Sequence, residues 1–214
     1  MMKTYFVSDT HFRHRNVLKY EPVRLHFLAE FIVDRNITFT GPSDHKLFFR
    51  LSPYDSVESA LRYMVEKGGD DLDYVLRLHD RMLVDYWNET VKNDDIVWFL
   101  GDFVMGGRNI LNDYASKLKG RKRIILGNHD NLKDKDYLEA GFEFVSRWPV
   151  ILAQHIILSH APLPSVPAGF YNIFGHVHSA PTVPTQTANS RCICVERQDM
   201  HPIAADINGE IPKW

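Results

Sequence analysis

Ile96-Val97-Trp98-Phe99-Leu100-Gly101-Asp102 is the stretch on which the architecture turns. Its apolar residues, β-branched or aromatic for the most part, show no polar residue at every second position. The segment therefore reads as a strand buried on both faces. A glycine follows, and then a carboxylate. The same grammar recurs on either side. Tyr5-Phe6-Val7 leads into Ser8-Asp9-Thr10-His11, and Ile124-Ile125-Leu126 into Gly127-Asn128-His129-Asp130. Ile156-Ile157-Leu158 leads into Ser159-His160, and Tyr171-Asn172-Ile173-Phe174 into Gly175-His176-Val177-His178. Strands that close on Gly or Ser and then on Asp, Asn or His describe a layered α/β protein whose site lies beyond the carboxyl ends of its strands.

Helices are expected in the intervals. Val75, Leu76, His79, Met82, Leu83, Tyr86 and Trp87 recur at three- and four-residue steps and make one apolar stripe. Ile110, Leu111, Tyr114, Ala115 and Leu118 do the same ahead of Gly120. A third helix is predicted over Ser56 to Lys67, with Asp55 and Glu58 at capping-box spacing and Gly68-Gly69 as its stop. Between Tyr20 and Asp71 the strand grammar lapses. A helix is expected near Leu25 to Ile32, and Ile37-Thr38-Phe39 with Leu47-Phe48-Phe49-Arg50-Leu51 has the form of a β-hairpin. With no repeat, low-complexity tract or linker, the 214 residues read as a single domain in which residues 21–71 form an insertion or lid.

Composition excludes several classes. A formal net charge of −2 supplies no general basic field to draw the chain onto nucleic acid or anionic lipid. No apolar run approaches the roughly 18 residues of a membrane span, and the apolar start before Ser8 is too short for a secretory signal. Cys192 and Cys194 alone cannot make a disulfide framework and read as packing residues on a late strand. A cytoplasmic protein is expected. The 11 histidines stand out, and several of them occupy the strand ends.

Taken singly, each strand-end residue has an ordinary reading. Asp9 could cap a helix, Gly101-Asp102 and Asn128-His129-Asp130 could be turns, and His160 could be a satisfied semi-buried histidine. His176 and His178, two apart on an extended segment, would project to one side. Taken together, Asp9, His11, Asp102, Asn128, His160, His176 and His178 supply two carboxylates, one carboxamide oxygen and four imidazoles. That donor set, without thiolate, suits Mn, Fe, Zn, Co or Ni. Seven donors are too many for one tetrahedral ion and suit two ions sharing a carboxylate.

These segments, in this order, resemble the motif set of the calcineurin-like metallophosphoesterases, most closely the small bacterial and phage-type members. The resemblance covers residues 3–20 and about 72–205 and implies a metallophosphoesterase sandwich: two β-sheets flanked by helices, with the insertion after the first motif. It implies that Asp9, His11, Asp102 and His178 hold a first ion, and that Asp102 bridges to a second ion held by Asn128, His160 and His176. A shared hydroxide would attack phosphorus. His129, outside the ligand count, would protonate the leaving alcohol, and Asp130 would orient that ring or cap the following helix. His14, Asn16 and Arg108, near the motifs, are candidates to touch the phosphate. The implied substrate is a small-molecule or nucleotide phosphate ester; long nucleic acid, as for a nuclease, is less favoured. A catalytically silent scaffold is the alternative from another class, and the complete ligand set speaks against it. No membrane association is expected, and the sequence leaves a homo-oligomer open.

Overall fold

The apolar runs become strands, and the strands end where the polar residues begin. The computed structural model describes residues 2–39, 53–181, 188–207 and 212–214. They divide into two compact units, one made of Met1–Phe12 with Val84–Trp214 and the other of Arg13–Leu83.

The first unit holds both sheets. In one, β1 (Thr4–Val7), β2 (Ile96–Phe99), β3 (Arg121–Ile125) and β4 (Phe142–Ser146) run parallel, and β9 (Ile203–Ala204) adds antiparallel to β1. The order is β4-β3-β2-β1-β9. In the other, β5 (Val150–Leu152) pairs antiparallel with β6 (Ile156–Ser159). β7 (Tyr171–Phe174) and β8 (Ser190–Cys192) then follow in parallel. Phe6, Trp98, Leu100 and Ile125 from the first sheet meet Ile156, Leu158 and Ile173 from the second, with Ile193 and Ala205, in one buried cluster. Each large side chain sealed there is worth about 1.5–3 kcal/mol relative to exposure.

Helices cover the outer face of the five-stranded sheet. Trp87, near the end of α4 (Gly69–Thr90), stacks on Phe99 with centroids 6.2 Å apart. Tyr114 of α5 (Arg108–Lys117) stacks on Phe12 at 4.4 Å. A strand such as β2 is therefore apolar on both faces because one meets the second sheet and the other meets helices. A short α6 (Asp134–Glu139) precedes β4. α6 is the helix expected after Asp130, whereas β4 and β5 have no counterpart in the expectations above.

β3 starts earlier than its apolar run. Arg121, Lys122 and Arg123, directly after the expected helix stop at Gly120, form its first half. Arg121 and Arg123 face Glu143 on the neighbouring β4 at 2.8 and 3.9 Å, and Lys122 donates to the carbonyls of Leu118 and Gly120. Glu143 offsets part of this charge within the sheet.

The second unit is helical: α1 (Val17–Tyr20), α2 (Val23–Asp34), α3 (Pro53–Lys67) and the first part of α4. α2 and α3 pack together through buried Leu25, Leu28 and Ile32 and through Leu61, Met64 and Val65. α3 begins at Pro53 rather than Ser56. Proline is favoured at a first helical position, and Asp55 falls in the first turn instead of at a cap. Glu58 is engaged elsewhere, accepting from Arg62 and facing His26 at 3.0 Å. Arg24 and His79 are fully buried, with Arg24 Nη1 3.3 Å from His79 Nε2, and Asp80 beside them accepts the backbone N–H of Arg13. The expected insertion, residues 21–71, falls inside this unit. The second run of the expected hairpin, Leu47–Leu51, lies outside the described residues.

Candidate metal centre

In parallel sheets all carboxyl ends lie at one edge, which brings the polar residues after β1, β2, β3, β6 and β7 together. The two sheets are also tied at that edge. Ser8 forms a parallel bridge with Cys194, and the Val195 N–H donates to the Ser8 carbonyl at 3.2 Å. Beyond β1 and β2 the backbones stay zipped: Asp9 N–H donates to Gly101 O at 2.9 Å and His11 N–H to Asp102 O at 3.0 Å.

The backbone there is left-handed at residues other than glycine. Asp9, His11, Asp102, His176 and His178 have φ of 60°, 50°, 60°, 72° and 49°. Such conformations cost of order 1–3 kcal/mol each and persist where the surroundings impose them. Here they turn the side chains inward from the strand ends. The extended reading of His176 and His178 is corrected by these angles: the two rings do not share a side but enter different clusters.

Two trios result. The ligand atoms of Asp9, His11 and His178 lie within 4.8 Å of one another, and so do those of Asp102, His160 and His176. Asp102 links them. Its Oδ2 stands 3.5 Å from His11 Nε2 and 3.5 Å from His160 Nε2, while its Oδ1 accepts the backbone N–H of His129 at 2.8 Å. Asn128 joins the second trio with Oδ1 2.9 Å from His160 Nε2. All seven residues expected as metal ligands are thus gathered.

The histidine tautomers point the same way. His160 Nδ1 donates to the Leu100 carbonyl at 2.7 Å, a partner that only accepts, so a neutral ring turns the Nε2 lone pair inward. There it meets Asn128 Oδ1, the Asp102 carboxylate and His176 Nδ1 at 3.1 Å. His178 gives Nδ1 to Glu196 Oε1 at 2.9 Å and turns Nε2 toward Asp9 Oδ1 at 3.7 Å. Acceptors facing acceptors in a buried pocket are reconciled by a cation. Donors about 2.1 Å from one ion stand about 3.0–3.4 Å apart in octahedral or tetrahedral coordination, close to the spacings seen. The residues fit a metal pair.

Burial pushes the Asp102 carboxyl up from its ordinary value, with the nearby Asp9 charge adding and His160 opposing. Burial and then the neighbouring His160 hold His176 below its ordinary value, toward the neutral form that binds metals. Two glycines make the approach possible. A Cβ on Gly127 would collide with Asp102 Oδ1 and the Asp102 backbone nitrogen, and one on Gly175 would sit 2.5 Å from Asp9 Oδ2.

His129 belongs to neither trio, yet its ring lies edge-on to His11 with centroids 5.2 Å apart. Asp130 does neither of the tasks foreseen for it. Its carboxylate accepts the backbone N–H groups of Asp102 (2.7 Å), Gly127 (2.8 Å) and Phe103 (3.1 Å) and the Tyr137 hydroxyl. The first turn of α6 is closed instead by Asp136, which accepts the Lys133 N–H. Burial pushes Asp130 up to about 6, against those N–H donors. Arg108 is ion-paired with Asp136 at 2.5 Å and Glu139 at 3.7 Å on α6. His14 and Asn16 lie in the second unit, at the turn entering α1.

Two residues escaped the sequence reading. Cys194 is buried as expected, but its thiol also donates to Asp9 Oδ2 at 3.2 Å; burial, then Cys192, hold it well above the ordinary thiol range and keep it a donor. Glu196 faces His178. Their signal was present: Cys192-Ile193-Cys194-Val195 is another short apolar run closed by a carboxylate.

A two-sheet sandwich with two His–Asp trios at its strand ends is the architecture of a metal-dependent phosphoesterase. Residues 2–185 match the family model of the calcineurin-like phosphoesterases, and the chain belongs to that family. It is similar to the Gene 66 protein of Mycobacterium phage D29, 43% identical over 67 residues that span 30% of this chain and 34% of that protein. An uncharacterised protein of Methanocaldococcus jannaschii is 26% identical over 137 residues, 63% of this chain and 51% of that one. The matched regions thus span from about a third to about half of these relatives' length. Among solved structures, a protein of unknown function from Aquifex aeolicus shares the fold with a TM-score of 0.55 and 23% identity, over 95% of this chain and 96% of that one.

Proposed function

We propose that the protein hydrolyses phosphate esters, with a small-molecule or nucleotide ester as substrate, at a pair of divalent transition-metal ions. Asp9, His11 and His178 would hold one ion, Asn128, His160 and His176 the other, and Asp102 both. The observation that carries this reading is the position of Asp102 Oδ2, 3.5 Å from a histidine nitrogen of each trio. Oxygen and imidazole donors without a thiolate suit Mn²⁺, and also Fe, Zn, Co or Ni. When bound, such a pair supplies Lewis acidity toward phosphoryl oxygens and acidifies a water to serve as nucleophile near neutral pH.

The chain's own residues do the rest. His129 takes the role of general acid and passes a proton to the leaving oxygen; an imidazole titrates in the range that task needs. Its backbone is pinned to Asp102 Oδ1, so the acid and the shared carboxylate move as one. Asp130 acts from beneath, holding the Asp102 and Gly127 backbones together. The formal net charge of −2 supplies no general basic field, which favours a small substrate over long nucleic acid.

The test is hydrolysis of bis(p-nitrophenyl) phosphate and of nucleotide esters by the Mn²⁺-loaded protein, with and without chelator. Ion-dependent release of product is expected. A protein that binds its ions and cleaves no phosphate ester overturns the reading.

A further inference from the structure

We infer that Glu196 is the positioning residue of the first metal site: it fixes the tautomer and direction of His178, and Arg197 fixes the loop that carries it. The inference rests on reading Asp9, His11 and His178 as ligands. Glu196 lies in a single 3-10 turn, Val195–Arg197, that follows β8. Its side chain is 0% exposed, and Oε1 stands 2.9 Å from His178 Nδ1. A carboxylate only accepts, so Nδ1 carries the proton and Nε2 presents its lone pair toward Asp9 Oδ1. The adjacent Arg197 donates from Nε to the His178 carbonyl at 2.7 Å and from Nη2 to the Ala180 carbonyl at 2.5 Å. Side chain and main chain of one histidine are thus held by two consecutive residues. His178 needs that hold, because its φ of 49° is a conformation the residue does not adopt by preference.

Cys194 completes the arrangement from the same segment. Its thiol and the His176 N–H, at 3.2 and 2.8 Å, both donate to Asp9 Oδ2 and leave Oδ1 as the atom turned toward His11 and His178. Residues 194–197 therefore orient two of the three side chains of one trio. The second trio takes its contacts elsewhere: His160 from Leu100 and Asn128, and Asp102 from the His129 backbone. A carboxylate behind a ligating histidine raises the basicity of the ring and its affinity for metal, and losing such a partner lowers affinity about 10- to 100-fold.

The experiment is calorimetric titration of Mn²⁺ into wild-type protein and Glu196→Gln, with far-UV circular dichroism as the fold control. Two ions are expected to bind the wild type, and in the variant one of them should weaken about 10- to 100-fold while the other stays within about twofold. A folded variant that binds both ions as the wild type does overturns this inference and leaves the metal-pair reading standing. A wild type that takes up no Mn²⁺ overturns both. The wild type also gives a reading that needs no variant. In the Zn²⁺-loaded protein, long-range ¹H–¹⁵N spectra should show His178 protonated on Nδ1, and an Nε2–H signal contradicts the assignment.

Discussion

At the scale of single residues, division of labour between the atoms of one side chain decides the site. Asp102 spends Oδ1 on the His129 backbone and offers Oδ2 to both trios. Asp9 spends Oδ2 on His176 and Cys194 and keeps Oδ1 for the histidines. His129 stands beside His11 but has no place in either trio, which is why we propose it as the general acid. His129→Ala should lower kcat by about 10²- to 10⁴-fold, the usual contribution of a general acid, with both ions retained on metal analysis. Loss of an ion from that variant would reassign His129 as a ligand.

At the scale of elements, strand ends were the readable part of the sequence. Short apolar runs without alternation, rich in β-branched and aromatic residues, read as strands covered on both faces, and each announced its carboxyl end with Gly or Ser and a polar residue. β3 was misjudged at its start because exposed arginines are normal on an outward face when the next strand offers Glu143. α3 was misjudged at its start because Pro53 is a stronger helix opener than the Asp55/Glu58 spacing is a cap. Asp130 and Glu196 were misread or missed because their partners are backbone amides and a histidine 18 positions away, which no local spacing encodes. Glycine is the element-scale test. Gly127→Ala forces a methyl group onto Asp102, so overpacking should lower stability by about 1–3 kcal/mol, measured by denaturant unfolding. Stability equal to wild type would show that the loops after β2 and β3 are not packed as described.

At the scale of the molecule, the first unit does one thing: it packs two sheets together so that parallel strands from each bring candidate ligands to one edge. The parallel bridge between Ser8 and Cys194 is the joint that makes the two edges coincide. The second unit is a helical body with its own buried polar trio, Arg24, His79 and Asp80. No helix among the described residues is long and apolar enough to cross a membrane. The family was readable because its ligands are scattered along the chain, so that chance cannot supply them in this order.

The shared carboxylate is the centre of the account, and metal stoichiometry tests it most directly. Native mass spectrometry of Mn²⁺-loaded protein should find two ions per chain in the wild type. In Asp102→Asn, occupancy of both sites should fall together. Two ions retained in that variant, or a wild type that never holds more than one, would contradict a pair of sites joined through Asp102.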